Sequence, residues 1–149
     1  MIADGWDLPG NLGTLIRCAD AAGASGVLAV EQGFGLSHPL VLKASMGAAL
    51  TMPVVAAGRP AATRWLRERG FRIVAADPAG TRSYREVDYQ GPLAIVVGSE
   101  RRGLAPGWLA AADTIAAIPM LGRCDSLNAA LAGALLLYEA LAHDSQQPR

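Results

Sequence analysis

The chain has 149 residues, of which 52% are hydrophobic and 17% charged, and its formal net charge at pH 7 is zero. This length suits one domain with its own core, and the composition excludes the intrinsically disordered class. Two cysteines and two isolated histidines exclude a disulfide framework and fit no metal-ligand spacing, so we expect reduced thiols, a cytoplasmic location and no metal.

Short apolar runs alternate with helical patterns along the whole chain. In chain order the predicted elements are a short or truncated first strand ending at Ile2-Ala3, a helix over Asn11–Ala22, strands over Val27–Val30 and Val54–Ala56, a helix over Pro60–Arg69, strands over Arg72–Ala76 and Ala94–Val97, a helix over Pro106–Ala111, a strand over Thr114–Ala117 and a helix over Ser126–Ala142. This pattern predicts an α/β fold, with a mostly parallel sheet covered by helices on both faces. Ligands of such sheets bind at the carboxyl ends of the strands.

Neither end of the chain carries a membrane signal. Asp4 and Asp7 interrupt any apolar stretch that could form a leader. The longest apolar segment, 127–142, contains Asn128 and Glu139, so we interpret it as a buried helix and expect no membrane partner. The polar tail 144–149 is expected to fray.

Basic residues give a mixed indication of a nucleic-acid partner. Twelve of the 13 are arginines, whose forked guanidinium groups suit phosphate. A net charge of zero argues against such a partner. The cluster from Arg64 to Arg72 is equally typical of a solvated helix face.

The first segment with candidate functional residues surrounds the start of the first helix. Asn11 is predicted to be the N-cap, and Arg17 is predicted to pass over the bare Gly13 toward Asn11. Free N–H groups and a guanidinium at one spot suit a phosphate. The alternative is an ordinary capped helix with an exposed arginine.

The second segment follows the predicted strand Ala94–Val97. Gly98 and Gly103 allow the backbone to approach a ligand closely, and Glu100 lies at the carboxyl end of a central strand. The segment has neither the Walker sequence nor the glycine fingerprint of dinucleotide-binding folds. The alternative is a glycine-rich turn with a surface glutamate.

The third segment leads into a helix that is apolar nearly all round. Such a helix must be buried in the core or against another subunit. Ser126 and Asn128 flank Leu127 just before it. Ser126 either caps this helix, with Asn128 in the first turn, or both side chains face a ligand.

Together these segments resemble the three motifs of the SpoU/TrmH family of RNA ribose methyltransferases, within the SPOUT superfamily. The matching residues are 9–17 with 19–23 in the first motif, Gly98-Ser99-Glu100 with Gly103-Leu104 in the second, and Ile118-Pro119-Met120, Gly122, Ser126-Leu127-Asn128 and the helix through Glu139 in the third. The segment Lys43 to Ala48 is also similar to a family segment. The resemblance covers nearly the whole chain in family order and implies one methyltransferase domain over residues 1–149.

The resemblance implies a homodimer that transfers a methyl group from S-adenosylmethionine to a ribose 2′-hydroxyl of structured RNA, tRNA or rRNA. It also implies a C-terminal trefoil knot (the SPOUT, or α/β-knot, fold) that binds the methyl donor. The residues implied to contact the donor are Gly98, Ile118, Leu127 and Ala76. Arg17 is the implied catalytic arginine, acting on donor bound by its own subunit or by the other. The remaining polar positions of the family site match Asn11, Glu100, Ser126 and Asn128.

The chain departs from the family pattern in three places. Arg101 stands where the family often has glycine, and Ala129 and Ala130 replace the more usual valine and serine. The N-terminal region that many members use to recognise RNA has no counterpart in this chain. Two other functions stay open at this point: a domain that binds RNA or the methyl donor without catalysis, and a small-molecule enzyme on a nucleotide-binding sheet.

Overall fold

The computed structural model describes residues 1–144, so residues 145–149 of the predicted frayed tail lie outside the described residues. The strands are β1 (Ile2–Asp4), β2 (Val27–Val30), β3 (Val54–Ala57), β4 (Arg72–Ala76), β5 (Arg82–Ser83), β6 (Leu93–Gly98) and β7 (Thr114–Ala117). The helices are α1 (Pro9–Ala21), α2 (Pro39–Ser45), α3 (Ala48–Thr51), α4 (Arg59–Glu68), α5 (Pro106–Ala111) and α6 (Ala129–Asp144), with a short 3-10 helix at Tyr84–Glu86.

The strands described in residues 1–144 form one sheet in the order β3-β2-β1-β6-β4-β7-β5. Every pair of neighbours is parallel. From β1 the chain adds β2 and then β3 on one side, and the later strands β4 to β7 all lie on the other side of β1. The direction in which strands are added therefore reverses between β1 and β6. A reversal of this kind opens a crevice at the carboxyl ends of the strands.

Helices cover both faces of the sheet, as the sequence predicts, because alternate residues of each strand enter different cores. Ile95 and Val97 of β6 point into the core shared with α1 and α6. The residues that alternate with them, Ala94 and Val96, point into the core shared with α4 and α5, which contains the fully buried Trp108. The predicted α/β architecture is therefore confirmed, while the trefoil knot stays a prediction.

Three elements were not predicted: helices α2 and α3 and strand β5. Helix α2 is only seven residues long, with Val41 and Ser45 as its buried residues, so it has too few turns for a helical period to be recognised. His38 caps it by accepting a hydrogen bond from the Leu40 N–H at 3.1 Å. Strand β5 has two residues at the sheet edge. None of the helices within residues 1–144 is long and apolar enough to cross a membrane.

Gly13 sets how closely α1 and α2 approach each other. A Cβ atom at this position would lie 2.5 Å from the Val41 carbonyl oxygen and 2.8 Å from the Ala44 Cβ atom. Helix α2 therefore covers the surface of Gly13. The predicted path of Arg17 over a bare Gly13 is wrong, because the helix that occupies this surface was not predicted.

We expect Gly13→Ala to lower the free energy of unfolding by about 1–3 kcal/mol, because the added methyl group must push backbone atoms of α2 away. Gly10→Ala is the matched control, since it lies in the same helix and its Cβ would have no neighbour within 4 Å. The control should be neutral or stabilising by up to about 1 kcal/mol. Urea unfolding of both variants measures the difference, and equal stabilities would contradict the close packing.

Candidate active site

An open cleft lies at the carboxyl ends of β4, β6 and β7. The four residues implied to contact the methyl donor all line it: Ala76, Gly98, Ile118 and Leu127. They come from the ends of two strands, from the loop after β7 and from the loop before α6.

The loop after β6 is a tight turn that requires glycine at two positions. A Cβ atom on Gly98 would lie 2.2 Å from the carbonyl carbon of Gly103, so no side chain fits there. Gly103 has a φ of +63°, in the left-handed region that favours glycine. Ser99 and Gly103 close the turn through backbone hydrogen bonds of 3.2 and 2.8 Å. Glu100 is thereby held just beyond the end of β6.

One oxygen of Glu100, Oε1, joins all three sequence motifs. It accepts hydrogen bonds from the Asn11 Nδ2 at 3.0 Å, the Asn128 Nδ2 at 2.6 Å and the Ala129 backbone N–H at 3.1 Å. Bonds to an ionised acceptor are about twice as strong as neutral ones. The carboxylate also lies at the N-terminus of α6, where the helix dipole favours a negative charge.

The predicted N-cap role of Asn11 is wrong, and the structure does not show the capping alternative for Ser126. Helix α1 begins at Pro9 and its N-cap is Leu8, because proline suits the first helical position. Asn11 therefore lies in the first turn, and its side chain is free to bond Glu100. Helix α6 begins at Ala129 rather than at Ser126, and Asn128 caps it by accepting hydrogen bonds from the N–H groups of residues 130 and 131 at 3.0 and 3.2 Å.

Ser126 instead lies in the loop before α6. Its Oγ donates a hydrogen bond to the Asp125 carboxylate at 3.3 Å, and both residues line the cleft. Neither alternative holds for both residues, because Ser126 lines the cleft while Asn128 caps α6. The fold thus brings together four of the five predicted polar residues: Asn11, Glu100, Ser126 and Asn128.

Arg17 is the predicted residue that the fold does not bring to the cleft. It is exposed on α1 and has no hydrogen bond or ion pair with any residue in the range 1–144. It lies two turns beyond Asn11 along the helix and lines neither of the cavities next to Glu100.

A second cavity, of about 590 Å³, lies on the other side of Glu100. It shares Ser99, Glu100 and Ala129 with the cleft, so these residues form a common wall. The rest of its lining consists of residues from the β1–α1 loop, the first turn of α1 and the turn after β6: Trp6, Asp7, Leu8, Asn11 and Arg101.

Several lining residues of the cleft were missed at the sequence level: Asp77, Pro78, Met120, Asp125 and Ala132. Asp77 and Pro78 directly follow β4, so the rule that ligands bind at strand ends could have found them. Gly80 keeps their loop against β7, because a Cβ there would lie 2.8 Å from the Ile115 carbonyl oxygen. Ala132 lies inside a helix and carried no signal in the sequence.

An apolar cleft at the carboxyl edge of a parallel sheet, with a glycine turn and a few converging polar groups, is typical of a protein that binds a nucleotide-like ligand. Within residues 1–144, no cluster of three His, Cys, Asp or Glu side chains could hold a metal ion. Comparison with known proteins identifies the family within this class of ligand-binding proteins. Residues 1–138 match the model of the SpoU rRNA Methylase family, and the chain belongs to this family.

Individual relatives agree with this assignment. The chain is 37% identical over 150 residues to the 23S rRNA (guanosine-2′-O-)-methyltransferase RlmB of Ralstonia nicotianae, covering 99% of this chain and 60% of that protein. The AdoMet-bound rRNA methyltransferase of Sinorhizobium meliloti superposes with a TM-score of 0.91 at 40% identity, over 95% of this chain and 55% of that one. The methyltransferase AviRb of Streptomyces viridochromogenes, solved with AdoMet, gives a TM-score of 0.92 at 31% identity, over 99% of this chain and 58% of that one. The chain thus spans little more than half the length of these relatives.

The bond between Asn11 and Glu100 should appear as an energetic coupling in a double-mutant cycle. We expect Asn11→Ala and Glu100→Ala to be non-additive in the free energy of unfolding by about 1 kcal/mol, since each variant removes the same contact. Thr14→Ala is the control, because the Thr14 hydroxyl donates only to the Gly10 carbonyl oxygen within its own helix. Thr14→Ala and Glu100→Ala should add within about 0.5 kcal/mol. Equal coupling in both cycles would disprove a specific link.

Proposed function

We propose that this chain transfers a methyl group from S-adenosylmethionine to a ribose 2′-hydroxyl of structured RNA, either tRNA or rRNA. The observation that carries the proposal is the convergence of Asn11 and Asn128 on the Glu100 carboxylate beside the cleft. Membership of the SpoU rRNA Methylase family supports it. Relatives named as rRNA and 2′-O-methyltransferases, two of them solved with the donor bound, support it further.

The residues of the cleft fit the methyl donor. Ala76, Ile118 and Leu127 offer apolar walls, and the bare Gly98 lets the backbone approach the donor closely. These four residues would hold the donor. When bound, S-adenosylmethionine supplies a methyl group activated by its sulfonium centre.

The task of the protein side chains is then to place the acceptor hydroxyl and to stabilise the charge that forms as its proton leaves. Glu100 fixes the amide groups of Asn11 and Asn128, so they present a preorganised polar surface at the wall of the cleft. Such a surface costs no reorganisation when charge develops.

Arg17 acts on the phosphate and on the developing alkoxide rather than as a base. A guanidinium group carries five N–H donors and no acceptor, so it does not take up the proton of the hydroxyl. It can therefore donate hydrogen bonds to a neighbouring phosphate and stabilise negative charge on the ribose oxygen. In this scheme the hydroxyl proton passes to solvent water, and the guanidinium would stabilise the negative charge left on the ribose oxygen.

The exposed apolar face of α6 supports a homodimer. Four of its large side chains remain substantially exposed, at 54% for Leu131, 41% for Leu135, 49% for Tyr138 and 40% for Leu141. A helix with its other face in the core and such a stripe on the outside is typical of a subunit interface. Helix α1 packs beside α6, so pairing of two copies along this face would carry Arg17 of each protomer toward the cleft of the other.

The proposed location is the cytoplasm, where the unpaired Cys18 and Cys124 would stay reduced.

The direct test is incubation with labelled S-adenosylmethionine and unmodified transcripts of tRNA and 23S rRNA, followed by alkaline hydrolysis. Methylation of the 2′-oxygen blocks cleavage at the adjacent phosphate, so we expect label in alkali-resistant dinucleotides. Leu127→Glu should abolish donor binding and transfer, because it places a charge in an apolar wall. Donor binding without any methyl transfer would favour a domain that binds without catalysis. Binding of NAD or ATP in place of S-adenosylmethionine in a titration would favour a small-molecule enzyme.

A mixed-dimer experiment tests whether Arg17 acts across the interface. Arg17→Ala and Leu127→Glu should each be inactive alone. In a mixed dimer, the cleft of the Arg17→Ala protomer is intact and the Leu127→Glu protomer supplies Arg17. Random mixing makes half of the dimers mixed, each with one of two sites working, so we expect about a quarter of the wild-type methyl-transfer rate. No recovery in dimers shown to have exchanged would place Arg17 in its own subunit's site.

A further inference from the structure

We infer that the second cavity binds the acceptor nucleotide and that Arg101 binds the phosphate on the 3′ side of the methylated ribose. This inference rests on the proposed methyl transfer to RNA. It assigns an entry path to the substrate and a substrate-binding role to a residue at a position where the family often has glycine.

The two arginines of the turn after β6 have different partners. Arg102 donates hydrogen bonds to the Gly5 carbonyl oxygen at 2.8 Å and to the Asp7 carboxylate at 3.1 Å, so it ties the β1–α1 loop to the turn. Arg101 lines the second cavity and has no hydrogen bond or ion pair with any residue between 1 and 144. Arg102 is therefore structural, whereas the guanidinium of Arg101 is available to a ligand.

The charges around the second cavity favour an anionic ligand at Arg101. Two carboxylates line the cavity, Asp7 and Glu100, and both have partners. Asp7 pairs with Arg102, while three neutral N–H donors hydrogen-bond Glu100. Arg101 is the cation of the described lining and has no hydrogen-bond or ion-pair partner within residues 1–144, and a phosphodiester offers oxygens in the geometry that a guanidinium fork prefers.

The position of the cavity fits the chemistry of the acceptor. Glu100 belongs to the wall shared with the cleft, and Arg101 is the next residue along the turn. In RNA the 2′-hydroxyl and the 3′-phosphate are carried by adjacent carbons of one ribose. A ribose placed against the shared wall would present its 2′-oxygen to the cleft and keep its 3′-phosphate next to Arg101.

The residues of the β1–α1 loop that line the second cavity are held firmly in place. The Trp6 indole is 2% exposed, and its Nε1 donates a hydrogen bond to the Val97 carbonyl oxygen at 3.0 Å, which fixes the β1–α1 loop to β6. Leu8, at 52% exposure, presents apolar surface toward the cavity. The lining therefore combines a rigid apolar surface, which suits a sugar or base, with the free cation of Arg101.

The experiment measures the affinity of the full chain for a mixed-sequence pool of single-stranded pentaribonucleotides, by fluorescence anisotropy with S-adenosylhomocysteine present. We expect Arg101→Gln to weaken binding about 10-fold, as one charge-assisted contact is lost. The slope of log K against log salt should fall in magnitude by about 0.7, the value for one phosphate contact on a single strand. Arg101→Lys should keep most of the slope.

Arg64→Gln is the matched control. Arg64 lies on α4 at the opposite face of the sheet, is exposed, and has no ion pair or hydrogen bond to a residue in the described range. The Arg64→Gln substitution removes the same charge as Arg101→Gln and should leave the slope of log K against log salt unchanged. A pool with methylphosphonate linkages, which lack the charge, should bind wild type no more tightly than the normal pool binds Arg101→Gln.

The outcomes separate this inference from the proposed function. Calorimetry should give equal S-adenosylmethionine affinities for wild type and Arg101→Gln, which excludes general damage to the fold. Arg101→Gln with wild-type affinity and salt slope would overturn the role of Arg101, even if wild type methylates RNA. Wild type that binds the pool without preference for charged linkages would overturn it as well. Wild type that binds no S-adenosylmethionine would instead refute the proposed function.

Discussion

The Glu100 carboxylate accepts hydrogen bonds from two segments that are remote from it in sequence, one of them 89 residues away and the other 28. Closing such loops costs conformational entropy, so the sheet must first bring the strand ends together. The turn between Gly98 and Gly103 then fixes Glu100 beyond β6, and the bonds to Asn11 and Asn128 align the starts of α1 and α6 on it. The cleft and the second cavity share this wall, so their relative position depends on it.

Much of this arrangement can be predicted from the sequence, for identifiable physical reasons. Five strands were predicted to within a residue at each end, because fully buried parallel strands are continuous apolar runs. Gly98 and Glu100 were found because they follow such a strand. The four predicted donor contacts also line one cleft, although that expectation came from the family resemblance.

Other features depend on contacts that a linear pattern does not contain. Asn11 and Ser126 are good capping residues, yet Pro9 starts α1 earlier and Asn128 caps α6 later, which leaves both predicted caps in other roles. The surface of Gly13 looked free because the short helix α2 was not recognised. The second cavity joins Trp6 to Arg101 across neighbouring parallel strands, a pairing that is known only from the fold.

The central claim is that the three motif segments converge on Glu100 to form the methyl-donor site. A crystal structure of the chain with S-adenosylhomocysteine measures this most directly. We expect the ligand in the cleft against Gly98, Ile118 and Leu127, with both asparagine amides still bonded to Glu100. A ligand bound elsewhere on the molecule, or a Glu100 side chain turned away from both asparagines in the complex, would contradict it.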